Sequence, residues 1–130
     1  VKPMNALALL RIGITPQDTI NCTGATRVGN TLFHCWKRGG HGPISMRRAV
    51  AQSCDIYFYE MARRVGYGSI APVARELGLG QEFDIPFTSQ RYGTVPDPAW
   101  YLDLRTQGLE VPDPHDAAWW WDRRPDSLPW

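Results

Sequence analysis

The amino-acid sequence predicts a small α/β domain, mainly helical and carrying one short β-hairpin. Three observations predict it. Apolar residues recur at helical spacing within the first dozen residues. A Gly29-Asn30 pair divides the stretch 25–36 into two arms, as a tight hairpin turn does. A second helical run extends from residue 45 to residue 66 with one break at 53–55.

In chain order, "KPMNALALLRIG" reads as a helix. Pro3 fits its first turn, where a missing N–H costs nothing. Met4, Leu7 and Leu10 share a face by three-residue spacing, and Gly13 is a candidate C-terminal cap. "ITPQDTINCTG" reads as a connection. "ATRVGNTLFHCW" is the hairpin and "KRGGHGP" a glycine-rich loop. Ser45 is placed to cap "SMRRAVAQS", with Met46, Ala49 and Val50 facing a core. Helical character resumes in "IYFYEMARRVG" and ends at Gly66. "SIAPVARELGLG" makes one more short helix, capped at Ser69 and closed by Gly78 or Gly80. From Tyr92 onward prolines crowd, and all but one of the six tryptophans appear without a 3.6 or 2.0 period. No regular structure is expected there.

A chain of 130 residues suits one domain. With 14 basic and 13 acidic residues it offers no electrostatic reason for a nucleic-acid partner. No apolar run approaches the roughly 20 residues that span a bilayer. The opening "VKPMNALALL" lacks an initiator methionine and any targeting segment, so a piece of something longer is expected. Three cysteines, Cys22, Cys35 and Cys54, cannot all pair within the chain.

"VKP" before a helix, "FHCWKRGGHG", "AVAQSCDIYFYEMARRVG" and "LGLG", in this order, resemble the transpeptidase domain of class B penicillin-binding proteins. Within that family the likeness is strongest to the elongation-specific penicillin-binding protein 2 subfamily, and it covers about residues 1–100. It implies that the hairpin and helices are the helical part of the serine transpeptidase/β-lactamase-like fold, an incomplete domain. The family's site is built from three motifs, S-x-x-K, S-x-N or S-x-D, and K-[ST]-G. A serine hydroxyl becomes a useful nucleophile only when a neighbour takes its proton, and a neutral lysine one helical turn on can do so. A second serine relays that proton to the leaving amine, and the K-[ST]-G strand positions substrate and oxyanion.

The resemblance places Lys2 as the lysine of the first motif, with its serine expected two positions before Val1. Ser53 and Asp55 match the first and third positions of the second motif. K-[ST]-G does not occur in the sequence. Taken alone, Lys2 reads as a solvated lysine, Ser53 as a helix cap or break residue, and Asp55 as a cap of the following helix. The catalytic reading of Lys2, Ser53 and Asp55 therefore comes from the flanking sequence.

The odd thiol count has two bonded readings, beside a bland one in which the thiols bind nothing and His41 is a loop histidine with no role. Cys22, Cys35, His41 and Cys54 make a Cys3His set, a common tetrahedral zinc donor group. A hairpin between Cys22 and Cys35 brings its ends together, and the loop can fold His41 back. The rival is a Cys22–Cys35 disulfide with Cys54 free, a bond that persists outside the cytoplasm. The resemblance adds that some members carry zinc at corresponding positions on Asp, Asp, His and Cys. Cysteine in place of the two aspartates suits zinc. Such a zinc would be structural, because protein fills all four positions.

Residues 1–103 are thus expected to be the partial transpeptidase domain and 104–130 a disordered tail outside the likeness. Three tryptophan codons followed by an aspartate codon read one base on as glycine codons, which suggests a frameshifted translation. A divergent natural tail and an aromatic binding patch are the alternatives. The resemblance implies a parent enzyme on the periplasmic side of the bacterial inner membrane, membrane-anchored within a cell-elongation complex. That parent would cross-link peptidoglycan stem peptides through an acyl-serine intermediate and be trapped by β-lactams. The chain as it stands, without the nucleophile and K-[ST]-G, is expected to be inactive. A small zinc-stabilised structural or interaction module is the alternative from another class.

Overall fold

The computed structural model describes residues 1–28, 31–86 and 93–108. Helix α1 (Lys2–Arg11) carries Pro3 in its first turn, and Gly13 follows it in the left-handed region at φ 96°. Its buried stripe is Ala6, Ala8 and Leu9. Met4 and Leu7 pack partly, whereas Leu10 is exposed. Three-residue steps fall short of a 3.6-residue turn, so the third member of the expected face has rotated toward solvent.

Strand β1 (Thr19–Cys22) lies in the segment expected to be a connection. It pairs antiparallel with β4 (Gly42–Ser45), and Cys22 stands opposite Gly42. Both strands have four residues, and β4 opens on Gly-Pro, which reads as a loop. Between them, β2 (Ala25–Val28) and β3 (Thr31–His34) form the expected hairpin, in register from Ala25↔His34 to Val28↔Thr31. Its turn, Gly29-Asn30, lies outside the described residues.

Helix α2 (Met46–Ala51) and helix α3 (Asp55–Val65) are separated by the break at 52–54. Ser45 is the N-cap of α2 but makes no side-chain capping bond, and Val50 is exposed while Met46 and Ala49 are buried. Gly66 ends α3 at φ 79°. A 3-10 turn (Tyr67–Ser69) leads to α4 (Ala71–Glu76), whose N-cap is Ile70 rather than Ser69. The Ser69 hydroxyl instead donates back to the Val65 carbonyl at 3.2 Å.

Helix α5 (Pro98–Thr106) stands where no regular structure was expected. Asp97 caps it by accepting from the Trp100 N–H at 2.7 Å, and a first-turn proline follows the cap. That Asp-Pro start signal is obscured in the sequence by the prolines around it. The first residues of the expected tail, through Thr106, thus belong to a helix; from residue 109 the tail, with its tryptophan cluster, lies outside the described residues. Among the described residues no helix is long and apolar enough to cross a membrane.

The main core joins Leu9 of α1, Ile20 and Ile44 of the β1–β4 pair, Met46 and Ala49 of α2, and Ile56, Tyr57 and Met61 of α3. Cys22, Cys35 and Cys54 belong to the same core and are each at most 1% exposed. Tyr57 is fully buried, yet its hydroxyl reaches the Asp18 carbonyl at 3.2 Å. Burial, assisted by the Asp18 charge, pushes its phenol up to about 12. The two halves of the helical run therefore meet the two-stranded sheet at the thiols.

Candidate functional site

The residues singled out in the sequence fall into two adjoining groups. The first lies in an open cleft of about 850 Å³ lined by Lys2, Trp36, Lys37, Gln52, Ser53 and Asp55, with His41 and Ala51 beside them. Lys2, first residue of α1, reaches across 51 positions in sequence to the break between α2 and α3. Its Nζ lies 2.7 Å from the Ser53 Oγ, 2.8 Å from the Ser53 carbonyl oxygen and 2.6 Å from the Asp55 Oδ1. Asp55, in the first turn of α3, also accepts the Trp36 backbone N–H on its Oδ2 at 3.0 Å. Burial works to raise the Asp55 carboxyl. The Lys2 hydrogen bond, the Trp36 N–H and the Lys2 charge outweigh it and hold the carboxyl below its ordinary value.

Ser53 has φ 52°, and it is the non-glycine residue described in the left-handed region. Such a conformation costs about 1–3 kcal/mol and persists when its surroundings fix it. The neighbouring backbone supplies part of that: Ser53 N–H bonds Val50 O at 3.3 Å and Cys54 N–H bonds Ala49 O at 2.9 Å.

The second group is buried. Ligand atoms of Cys22, Cys35, His41 and Cys54 all lie within 4.8 Å of one another. His41 Nδ1 is 3.5 Å from both the Cys22 and the Cys35 sulfur. A tetrahedral zinc with Zn–S about 2.3 Å and Zn–N about 2.0–2.1 Å has S···N edges of about 3.6 Å, so the spacing fits. All three cysteines are free, not bridged. Backbone geometry assembles the set. The β1–β4 register puts His41 beside Cys22, and the Cys35 N–H bonds the Gly24 carbonyl at 2.8 Å. Gly24 and Gly40 allow the loop to close: a Cβ on Gly40 would lie 2.1 Å from the Cys22 carbonyl oxygen, and one on Gly24 2.0 Å from that of Arg38. Both have positive φ.

The electrostatics also suit a cation. Burial, helped by the Cys22 and Cys35 sulfurs, pushes the Cys54 thiol up to about 12. Burial likewise opposes the Cys35 thiolate, but backbone N–H groups of Lys37, Asp55 and Ile56 draw it below the ordinary thiol value. Three crowded thiolates are costly together unless a positive ion lies among them. His41 Nε2 is buried without a hydrogen-bond partner among the described residues. The four side chains could therefore hold a metal ion through three sulfurs and the imidazole Nδ1.

Every residue singled out in the sequence thus joins one of the two groups. Trp36 and Lys37 were not singled out, although both line the cleft. Their position directly after Cys35 was the available signal.

The family model described as penicillin binding protein transpeptidase domain matches residues 1–111. The chain is 33% identical over 108 residues to the peptidoglycan D,D-transpeptidase MrdA of Acinetobacter baumannii, covering 81% of this chain and 16% of that protein. It is 28% identical over 103 residues to the Escherichia coli protein of the same name, again 16% of its length. The fold is similar to PBP2 of Helicobacter pylori in its complex with MreC: TM-score 0.74, 30% identity, 82% of this chain and 20% of that one. A comparable likeness holds to Pseudomonas aeruginosa PBP2 in complex with WCK 5153, with TM-score 0.73, 30% identity and coverages of 82% and 25%.

Proposed function

This chain belongs to the penicillin-binding protein transpeptidase family, and on that premise we propose that Lys2, Ser53 and Asp55 serve the acyl-serine chemistry of a peptidoglycan D,D-transpeptidase. The observation that carries the reading is the position of the Lys2 Nζ, shared between the Ser53 Oγ at 2.7 Å and the Asp55 Oδ1 at 2.6 Å. Asp55 sets where the amine sits. In its neutral form that amine accepts the proton of an attacking serine hydroxyl. The Ser53 hydroxyl, within hydrogen-bond reach, passes a proton on to the leaving amine. The open cleft beside Trp36 and Lys37 receives a peptidoglycan stem peptide, and β-lactams are taken as mimics of the donor. The chain spans only 16% of the curated relatives cited above, so the complete reaction is assigned to a parent enzyme.

Cys22, Cys35, His41 and Cys54 hold zinc in this reading. The zinc supplies cross-linking rather than chemistry, since protein donors fill all four positions. The H. pylori PBP2–MreC complex supports placing the parent in an elongation assembly. A second similar structure, described as a peptidoglycan synthase complex that coordinates polymerization and crosslinking, supports the same placement. We assign that assembly to the periplasmic side of the bacterial inner membrane, with a role in cell shape.

A chimera tests the relay. Residues 1–100 replace the matching segment of the A. baumannii relative, and acylation by a fluorescent penicillin is timed. Ser53→Ala is expected to slow acylation at least about a hundredfold, the scale of a lost proton-transfer partner. An unchanged rate removes Ser53 from the mechanism. In the 130-residue chain itself no S-x-x-K occurs, so no covalent penicillin adduct is expected. A mass shift at Ser53 would show it to be a nucleophile instead.

A further inference from the structure

Trp36 stands where the two groups meet, and neither the proton relay nor the metal donor set uses it. Its residue is 63% exposed, so it is not a core residue. Even so, both of its N–H groups are engaged within the chain. The backbone N–H donates to Asp55 Oδ2 at 3.0 Å, and the indole Nε1–H donates to the Gln52 carbonyl at 2.9 Å. Those two acceptors flank Ser53, the residue at φ 52°. On its other side Trp36 follows Cys35 directly, and its ring meets the His41 ring edge-on with centroids 5.4 Å apart and planes at 70°.

We infer that Trp36 is a positioning residue that clamps the Ser53 turn from both sides and ties it to the cysteine–histidine cluster. The inference rests on the reading of Ser53 and Asp55 as relay residues. A left-handed serine between two helices needs outside support, because the conformation is disfavoured for any residue with a Cβ. Three donors supply it: the Lys2 amine on the Ser53 carbonyl, the Trp36 amide on the Asp55 carboxylate and the indole on Gln52. Two of these belong to one residue whose neighbour in sequence is Cys35. Displacing Cys35 or His41 therefore moves both Trp36 donors at once. An exposed tryptophan is costly in apolar area left in water, and the indole N–H is what a smaller aromatic residue would lack.

The indole bond can be removed without touching the relay. In the 130-residue chain with one equivalent of Zn²⁺, amide hydrogen exchange is followed residue by residue. Trp36→Phe keeps the ring and the backbone donor but loses the indole N–H. Incorporation of benzothienylalanine at position 36 keeps the tryptophan shape without the N–H, and decides the matter if the Phe variant does not fold. Exchange at the Ser53 and Cys54 amides is expected to rise about five- to tenfold in both, the effect of one lost hydrogen bond. Amides of α1 and α4 stay within about twofold and zinc uptake is unchanged, whereas 5-fluorotryptophan, which retains the donor, behaves as the native chain. Unchanged exchange at residues 53 and 54, or an equal rise everywhere, overturns the positioning role. Stripping the zinc with a chelator should expose the Trp36 indole N–H to exchange. An indole N–H indifferent to chelation, or a chain that takes up no zinc, overturns the tie to the cluster. Failure of the relay reading itself would appear separately, in the chimera's acylation rate.

Discussion

Ser53, Cys54 and Asp55 are consecutive, yet the outer two and the middle one live in different environments. Ser53 and Asp55 line an open cleft and share the Lys2 amine. Cys54 is fully buried among Cys22, Cys35 and His41. The wet pair is held by charge-assisted hydrogen bonds between partly exposed groups, which are individually weak. The dry site is held by packing and donor geometry that a metal can lock. Rigidity in this region should therefore come from the buried side, and the exposed side should supply chemistry without contributing much stability.

Substitutions can break that contrast. The largest effect is expected at the cluster. Cys54→Ala should weaken zinc by at least about a hundredfold, about 2.7 kcal/mol, with Tm falling by roughly 10 °C or more. Equilibrium dialysis with a chelator and calorimetry read the two. Cys22→Ala should match it, because the donors act as one set. Full zinc retention in either variant separates that cysteine from the site.

Next in size is Gly40→Ala, which replaces no donor side chain. The new Cβ would stand 2.1 Å from the Cys22 carbonyl oxygen at φ 76°. A loss of roughly 2 kcal/mol or more in denaturant unfolding is expected, together with weaker zinc, from left-handed strain plus backbone collision. Native stability would show that the 37–41 loop can dock elsewhere.

Lys2→Ala should be much milder. The Lys2 and Asp55 side chains remain 29% and 23% exposed, so unfolding free energy should change by about 1 kcal/mol or less. The same change should abolish acylation in the chimera. A stability loss as large as that of Cys54→Ala would overturn the division between the two sides.

Smallest and most local is a pH effect at α5. The Trp100 N–H, followed by Arg75, holds the Asp97 carboxyl below its ordinary value. A depressed folded-state value means the contribution is complete above about pH 4 to 5, the ordinary carboxylate range, and is lost as pH falls through the folded value. Exchange of the α5 amides should therefore rise below about pH 4 ahead of the core amides. Simultaneous loss of both would make α5 part of the core's cooperative unit.

Much of this was legible in the sequence because local rules and tertiary structure agree. The Gly29-Asn30 hairpin arms, the break before α3 and the Gly66 stop each carry their own signal. The four candidate metal donors were legible by type, although their convergence depends on β1–β4 pairing. That pairing was not legible: four-residue strands give too little alternation, and Gly42-Pro43 mimics a loop. Val50 and Leu10 were misplaced because helical spacing alone cannot say which neighbours arrive. Likewise, α5 was hidden because its Asp-Pro cap sits among prolines that elsewhere mean loop. Trp36 was passed over since its role lies in two N–H groups whose acceptors are 16 and 19 residues away.

The most direct test of the central claim, that the relay turn is anchored from its buried side, is X-ray absorption spectroscopy on the chain with one equivalent of zinc. The account predicts a four-ligand shell of three sulfurs at about 2.3 Å and one nitrogen at about 2.0–2.1 Å, falling to two sulfurs in Cys54→Ala. A shell with two sulfurs or fewer in the native chain, or one unchanged by Cys54→Ala, would contradict it.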